Sequence, residues 1–129
     1  MYRNLININS NIYSKLNIDK ARRMLAFTFP DIEFTRSIIS VPASEEEGEG
    51  VFPFRNVLGQ FYSDEPYEEV TKRIKSIEYA LNKTAKGRGP GRVIISIDLL
   101  QHGENLLREQ DLELEHVQEL LKDFSDEMH

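Results

Sequence analysis

Apolar residues fall in strand-like alternation or at helical spacing through most of the chain. Leu5, Ile6 and Ile8 form a short apolar run closed by Asn9-Ser10-Asn11, which predicts a strand and a turn. Ala21, Met24, Leu25 and Thr28 share one face of a predicted helix over roughly residues 16 to 29, with Asn17 as its N-cap and Pro30-Asp31 as its stop. Ile32, Phe34, Arg36 and Ile38 alternate with Glu33, Thr35 and Ser37, predicting a second strand that runs to about Val41. Val51 to Tyr62 is rich in aromatic and β-branched residues and reads as a third strand, with Pro53 suggesting an edge or bulge. Asp64-Glu65-Pro66 then opens a helix carrying Val70, Ile74, Ile77 and Leu81 on one face. Val93 to Leu100 is the fourth strand. A short helix from about Val117 to Phe124 follows Asp111-Leu112-Glu113-Leu114, and residues 124–129 are expected to fray.

The order is β-α-β-β-α-β plus a tail. It predicts an α+β domain over residues 1–129: a ferredoxin-like sandwich with a four-stranded, mainly antiparallel sheet, helices on one face and a short C-terminal helix. Two long loops interrupt the pattern. Residues 42–50 are acidic, through Ser44-Glu45-Glu46-Glu47-Gly48-Glu49-Gly50, and residues 82–92 are basic, through Lys83, Lys86, Arg88 and Arg92.

The net charge of −6 argues against nucleic acid or an anionic membrane as partner. The absence of cysteine excludes a disulfide scaffold and a thiolate zinc site, and fits a reducing compartment. No apolar run approaches the roughly 20 residues that span a bilayer, and the first residues lack a signal-peptide core. A cytoplasmic protein, monomeric or weakly dimeric, is the expectation.

The candidate chemistry lies where Arg88-Gly89-Pro90-Gly91-Arg92 runs into Val93-Ile94-Ile95-Ser96-Ile97-Asp98. Two arginines can fork onto phosphate oxygens, and a carboxylate in an apolar strand calls for a cation or a metal. Phosphoryl or pyrophosphoryl transfer is the class that uses both. Each residue also has a plainer reading. Asp98 suits a surface salt bridge and the arginines a solvated loop. Asn56 suits a satisfied edge amide, and Glu78 a helical ion pair with Lys75 or Lys83. His102, His116 and His129 lack metal-ligand spacing. Ser10 has no evident base beside it.

These residues together resemble the 6-hydroxymethyl-7,8-dihydropterin pyrophosphokinase family of folate biosynthesis, most strongly from about Phe52 to His116. The family's first strand ends in Gly-Ser-Asn; here Ser10 and Asn11 match and Asn9 replaces the glycine. Phe54-Arg55-Asn56 resembles the pterin-binding element, with Asn56 as its asparagine and Phe54 beside it. Ile77-Glu78 resembles the end of the helix before the basic loop, where Asn82-Lys83 replaces a Gly-Arg. Arg88 to Arg92 is similar to the family's Arg-Trp-Gly-Pro-Arg loop without its tryptophan. Ser96-Ile97-Asp98 stands where the family has Asp-x-Asp, so one of two magnesium-binding acids is a serine. Gly103 and His116 also match.

The resemblance implies transfer of diphosphate from ATP to a reduced pterin, with magnesium as cofactor. It implies that Arg88 and Arg92 hold phosphates and that Asp98 binds the metal. Ser10, Asn11, Phe54 and Asn56 would then contact the pterin, and Glu78, Lys83 and His116 the nucleotide. Ser96 in place of an acid implies weaker metal binding, and an acidic first loop would repel a triphosphate. The alternative is an inactive ligand-binding or protein-interaction module on the same fold. A second acid reaching Asp98, such as Glu78 or Asp111, would restore the catalytic reading.

Overall fold

The computed structural model describes residues 1–41, 52–84, 89 and 91–125. Strand β1 (Tyr2–Ser10) lies at the centre of an open sheet. It pairs antiparallel with β4 (Phe54–Ser63) on one side and with β5 (Ser96–His102) on the other. Beyond β4 lie two short strands, β2 (Glu33–Phe34) and β3 (Ile38–Ser40), and beyond β5 lies β6 (Asn105–Leu106). The order is β2-β4-β1-β5-β6 with β3 also on β4, and every one of these pairings is antiparallel. The fold is therefore α+β with a mostly antiparallel sheet, but with six strands among the described residues rather than the expected four.

One expected strand becomes two because Thr35 breaks the ladder. Its hydroxyl accepts a hydrogen bond from Leu58 N at 3.0 Å and donates to Arg36 O at 2.7 Å. The register against β4 shifts by one residue between Phe34↔Gly59 and Ile38↔Asn56. Arg36 is thereby turned outward, where its backbone N–H and guanidinium take the two oxygens of Asp123 at 3.0 and 3.2 Å.

Alternation along the strands gives the sheet two apolar faces. Ile6, Ile8, Val57, Phe61, Ile97 and Leu99 pack under α1 (Ser14–Thr28) and α2 (Tyr67–Thr84). Leu5, Leu58 and Leu100 face the other way and are covered by Val117, Leu120 and Phe124 of α4 (Glu115–Ser125). A four-residue α3 (Glu109–Leu112) precedes it. Helices thus lie against both faces, correcting the expectation of one. The C-terminal helix reaches Ser125, so residues 124 and 125 are helical, and residues 126–129 lie outside the described residues.

Two expected helix boundaries move. Helix α1 begins at Ser14, and Asn17 sits inside its first turn, its amide reaching back to Ile12 O at 2.7 Å. A side chain that satisfies an upstream carbonyl reads in sequence like a cap. Helix α2 continues through Asn82 and Lys83 to Thr84, so the expected basic loop is shorter. Its remainder up to Arg88, together with Pro90, and the acidic loop 42–50, lie outside the described residues.

Candidate functional site

The face covered by α4 is only partly covered. Beside the first turns of α4, the same face continues from leucines into polar residues. Asn7 lies opposite Leu58 on one side and Asp98 on the other, and Asn9 lies opposite Asn56 and Ser96. These rows form the floor of a cleft of about 860 Å³. Ile38, Ile39, Val41 and Phe54 make an apolar wall, and Arg108, Asp111, Leu114 and His116 close the opposite side.

Asp98 is the most heavily engaged floor residue. Its Oδ1 lies 3.1 Å from Lys75 Nζ and 3.8 Å from Arg108 Nη1, and Ser96 Oγ donates to Oδ2 at 3.3 Å. Each cation is shared with a second acid. Lys75 also meets Glu78 at 3.2 Å, and Arg108 hydrogen-bonds Asp111 through Nε. That bond, then the charge of Asp98, raises the Arg108 pKa, so the guanidinium stays charged. Neither Glu78 nor Asp111 reaches Asp98 except through a cation in these pairings.

Asn56 is buried and its Nδ2 donates to Ile38 O at 3.0 Å and Ser40 Oγ at 2.8 Å. It ties β3 to β4, as an edge amide would, and what it can offer the cleft is its carbonyl oxygen. His116 lines the cleft; burial lowers its pKa from 6.5, and the nearby charge of Asp111 only partly opposes this.

Other expected site residues lie elsewhere. Ser10 is buried, its hydroxyl directed at Ile12 O and Val93 O. Asn11 binds Gly91 O at 2.8 Å and accepts from Val93 N. Both fasten the segment that leads into β5, and neither lines the cleft. Glu78 is turned to the outer edge of β5, where its Oε2 accepts from Ile97 N at 2.7 Å. Lys75 completes the same edge at Ile97 O and Asn82 at Ile95 O. Three polar side chains of α2 thus satisfy backbone groups that β6 is too short to reach. Lys83 is exposed at the end of α2 and does not line the cleft. Arg92 places its guanidinium 5.0 Å from the ring centre of Phe52 and is exposed. Arg88 lies outside the described residues.

Of the ten expected site residues, the cleft gathers Phe54, Asn56, Asp98 and His116. Sequence reasoning missed Asn7, Asn9 and Arg108. The asparagines carried a signal, since Leu5, Asn7 and Asn9 share one face of a strand whose other face is Ile6 and Ile8. Arg108 carried little beyond its three-residue spacing to Asp111. No protein-family model and no curated protein matches the chain.

Proposed function

We propose that the cleft is a heterocycle-binding site of the pterin pyrophosphokinase kind, taking a reduced pterin. The observation that carries this reading is the convergence of Asn56 and Phe54 with Asp98 in one cleft, from β4 and β5. A flat ring suits an apolar wall of Ile38, Ile39 and Phe54 over a floor of amides. The architecture is compatible with the resemblance. Taking β2 and β3 as halves of one strand gives a 2-3-1-4 order, all antiparallel, as in a ferredoxin-like sandwich.

In the catalytic form of this reading, the hydroxymethyl oxygen of the pterin attacks the β-phosphorus of ATP. The bond to the α-phosphate oxygen breaks, and AMP leaves. Positioning and charge stabilisation suffice, without a covalent intermediate. Arg88 and Arg92 would hold the phosphates. The described residues do not fit the two-magnesium centre that the resemblance implies. Asp98 is one carboxylate already held by two cations, and no group of three acidic or imidazole side chains converges among the described residues. No step is therefore assigned to a metal.

The same pairing of Asp98 with Lys75 and Arg108 favours a second reading, a ligand-binding module without transfer. Calorimetric titration of 6-hydroxymethyl-7,8-dihydropterin and MgATP, with AMP release measured in the same samples, separates the two. Pterin binding with AMP release establishes the kinase, and pterin binding alone establishes the module. No pterin binding refutes both.

A further inference from the structure

Asn9 is half-buried and lines the cleft floor, and its amide makes no hydrogen bond among the described residues. Register sets it between Asn56 of β4 and Ser96 of β5. Side chains opposite one another on neighbouring strands stand about 4.5–5.5 Å apart. Both flanking side chains have already spent their donors. The amide nitrogen of Asn56 donates to Ile38 O, Ser40 Oγ and Phe54 O. The Ser96 hydroxyl donates to Asp98 Oδ2. What they have left to offer is an amide oxygen and a hydroxyl lone pair.

Across the row from β4 to β5 the floor therefore runs acceptor, Asn9, acceptor, with the Asp98 carboxylate next along β5. Asn9 Nδ2 is the one side-chain donor of this row. Asn7, one row further in, is 4 % exposed with its amide oxygen sealed; its nitrogen adds a donor but little surface. The fold does not call for an amide at position 9. Asparagine is depleted in strands, and no neighbour uses this one. Nor does the family resemblance supply it, since Asn9 stands in place of the motif's glycine.

We propose that Asn9 is a specificity-determining residue of the cleft, donating its Nδ2–H to a ring carbonyl oxygen of the ligand. The ligand is then a fused-ring lactam whose carbonyl lies between two hydrogen-bond donors. An N–H meets Asn56 Oδ1 on one side, and a hydroxyl meets Ser96 and Asp98 on the other. A reduced pterin with a hydroxymethyl arm has this order: its amine, carbonyl and hydroxymethyl oxygen follow one another at roughly one strand spacing, about 4.8 Å. The assignment rests on the heterocycle reading above, and it adds the residue that reads the ring carbonyl.

The test is calorimetric titration of wild type, Asn9→Ala and Asn9→Asp. The probes are 6-hydroxymethyl-7,8-dihydropterin and the same compound with hydrogen in place of the ring carbonyl oxygen. Wild type is expected to prefer the carbonyl compound at least tenfold. Asn9→Ala should reduce that preference about tenfold, the worth of about one hydrogen bond. Crossing the protein change with the ligand change isolates the contact between them. Asn9→Asp keeps the shape and an oxygen but has no donor, so it should bind the carbonyl compound no better than Asn9→Ala. Ligand-free Asn9→Ala should melt as wild type does, because the amide holds no protein partner.

A preference unchanged in Asn9→Ala overturns the assignment, as does an equal loss for both probes. Asn9→Asp binding the carbonyl compound as tightly as wild type also overturns it, because the oxygen would then be the contact. A fall in the melting temperature of Asn9→Ala makes Asn9 a structural residue and overturns it too. Wild type that binds both probes alike refutes the assignment and leaves the heterocycle reading standing. Wild type that binds neither refutes the heterocycle reading, and the assignment falls with it.

Discussion

Glu78 separates what the fold requires from what the resemblance implies. Its carboxylate accepts from Ile97 N at 2.7 Å and is 23 % exposed, and it pairs with a Lys75 that is 44 % exposed. A hydrogen bond to an ionised acceptor is worth about 1.5–3 kcal/mol. Partial exposure lets water recover some of that, which points to the lower end, about 1.5 kcal/mol. The half-exposed ion pair adds only about 0.3–0.5 kcal/mol. Glu78→Ala is therefore expected to destabilise by about 2 kcal/mol, a fall in Tm on the order of 8 °C for a chain of this size. Glu78→Gln keeps an acceptor for Ile97 N and loses the charge, so it should cost about half as much. Urea unfolding at pH 7 reads the free energies, and the m value should not change, because the surface exposed on unfolding is the same. MgATP titrations of the same variants should match wild type. A Glu78→Ala protein as stable as wild type but with weakened MgATP binding would refute the edge-capping argument and return Glu78 to the nucleotide.

His116 and Leu120 offer two further tests. Burial lowers the His116 pKa below its ordinary 6.5, so the unfolded chain takes up this proton first as pH falls. Stability on this account is complete above pH 6.5 and is lost as pH drops through the lowered folded value. His116→Gln should therefore flatten that part of a Tm-against-pH curve, and an unaltered acid limb would contradict the burial argument. Leu120 is fully buried between α4 and the sheet. Leu120→Ala should cost about 2–5 kcal/mol in urea unfolding. Because α4 carries His116 and Glu119 into the cleft, pterin binding should weaken in the same variant. A loss well under 1 kcal/mol would mean that α4 does not cover this face.

The central architecture was legible because it depends on local periodicity. The apolar runs at residues 5–8 and 93–100, and the spacing of Val70, Ile74, Ile77 and Leu81, needed only neighbouring residues to be read; β1 and α2 formed there, while β5 starts three residues later than expected, at Ser96, and runs on to His102. The break at Thr35 was not legible, because it depends on a hydroxyl meeting Leu58, 23 residues away. The second sheet face was missed for a related reason. Leu114, Val117 and Leu120 announce an amphipathic helix without saying which face of the sheet it covers.

The candidate site was half legible on the same principle. Asp98 and Asn56 stand out locally, as polar residues in apolar runs. Their meaning depends on register, which places Asn7 beside Asp98 and Asn9 between Asn56 and Ser96. Register also explains Ser10 and Asn11. They match a binding motif by type, yet pairing of β1 with the segment entering β5 turns their hydrogen bonds onto Gly91 and Val93. Polar residues one row further in, at Asn7 and Asn9, face the cleft instead. A motif match therefore points to one end of a strand, while the sheet decides which of its side chains line the cleft. That order of dependence makes Asn7 and Asn9, rather than Ser10 and Asn11, the residues near the end of β1 whose substitution most directly tests the cleft.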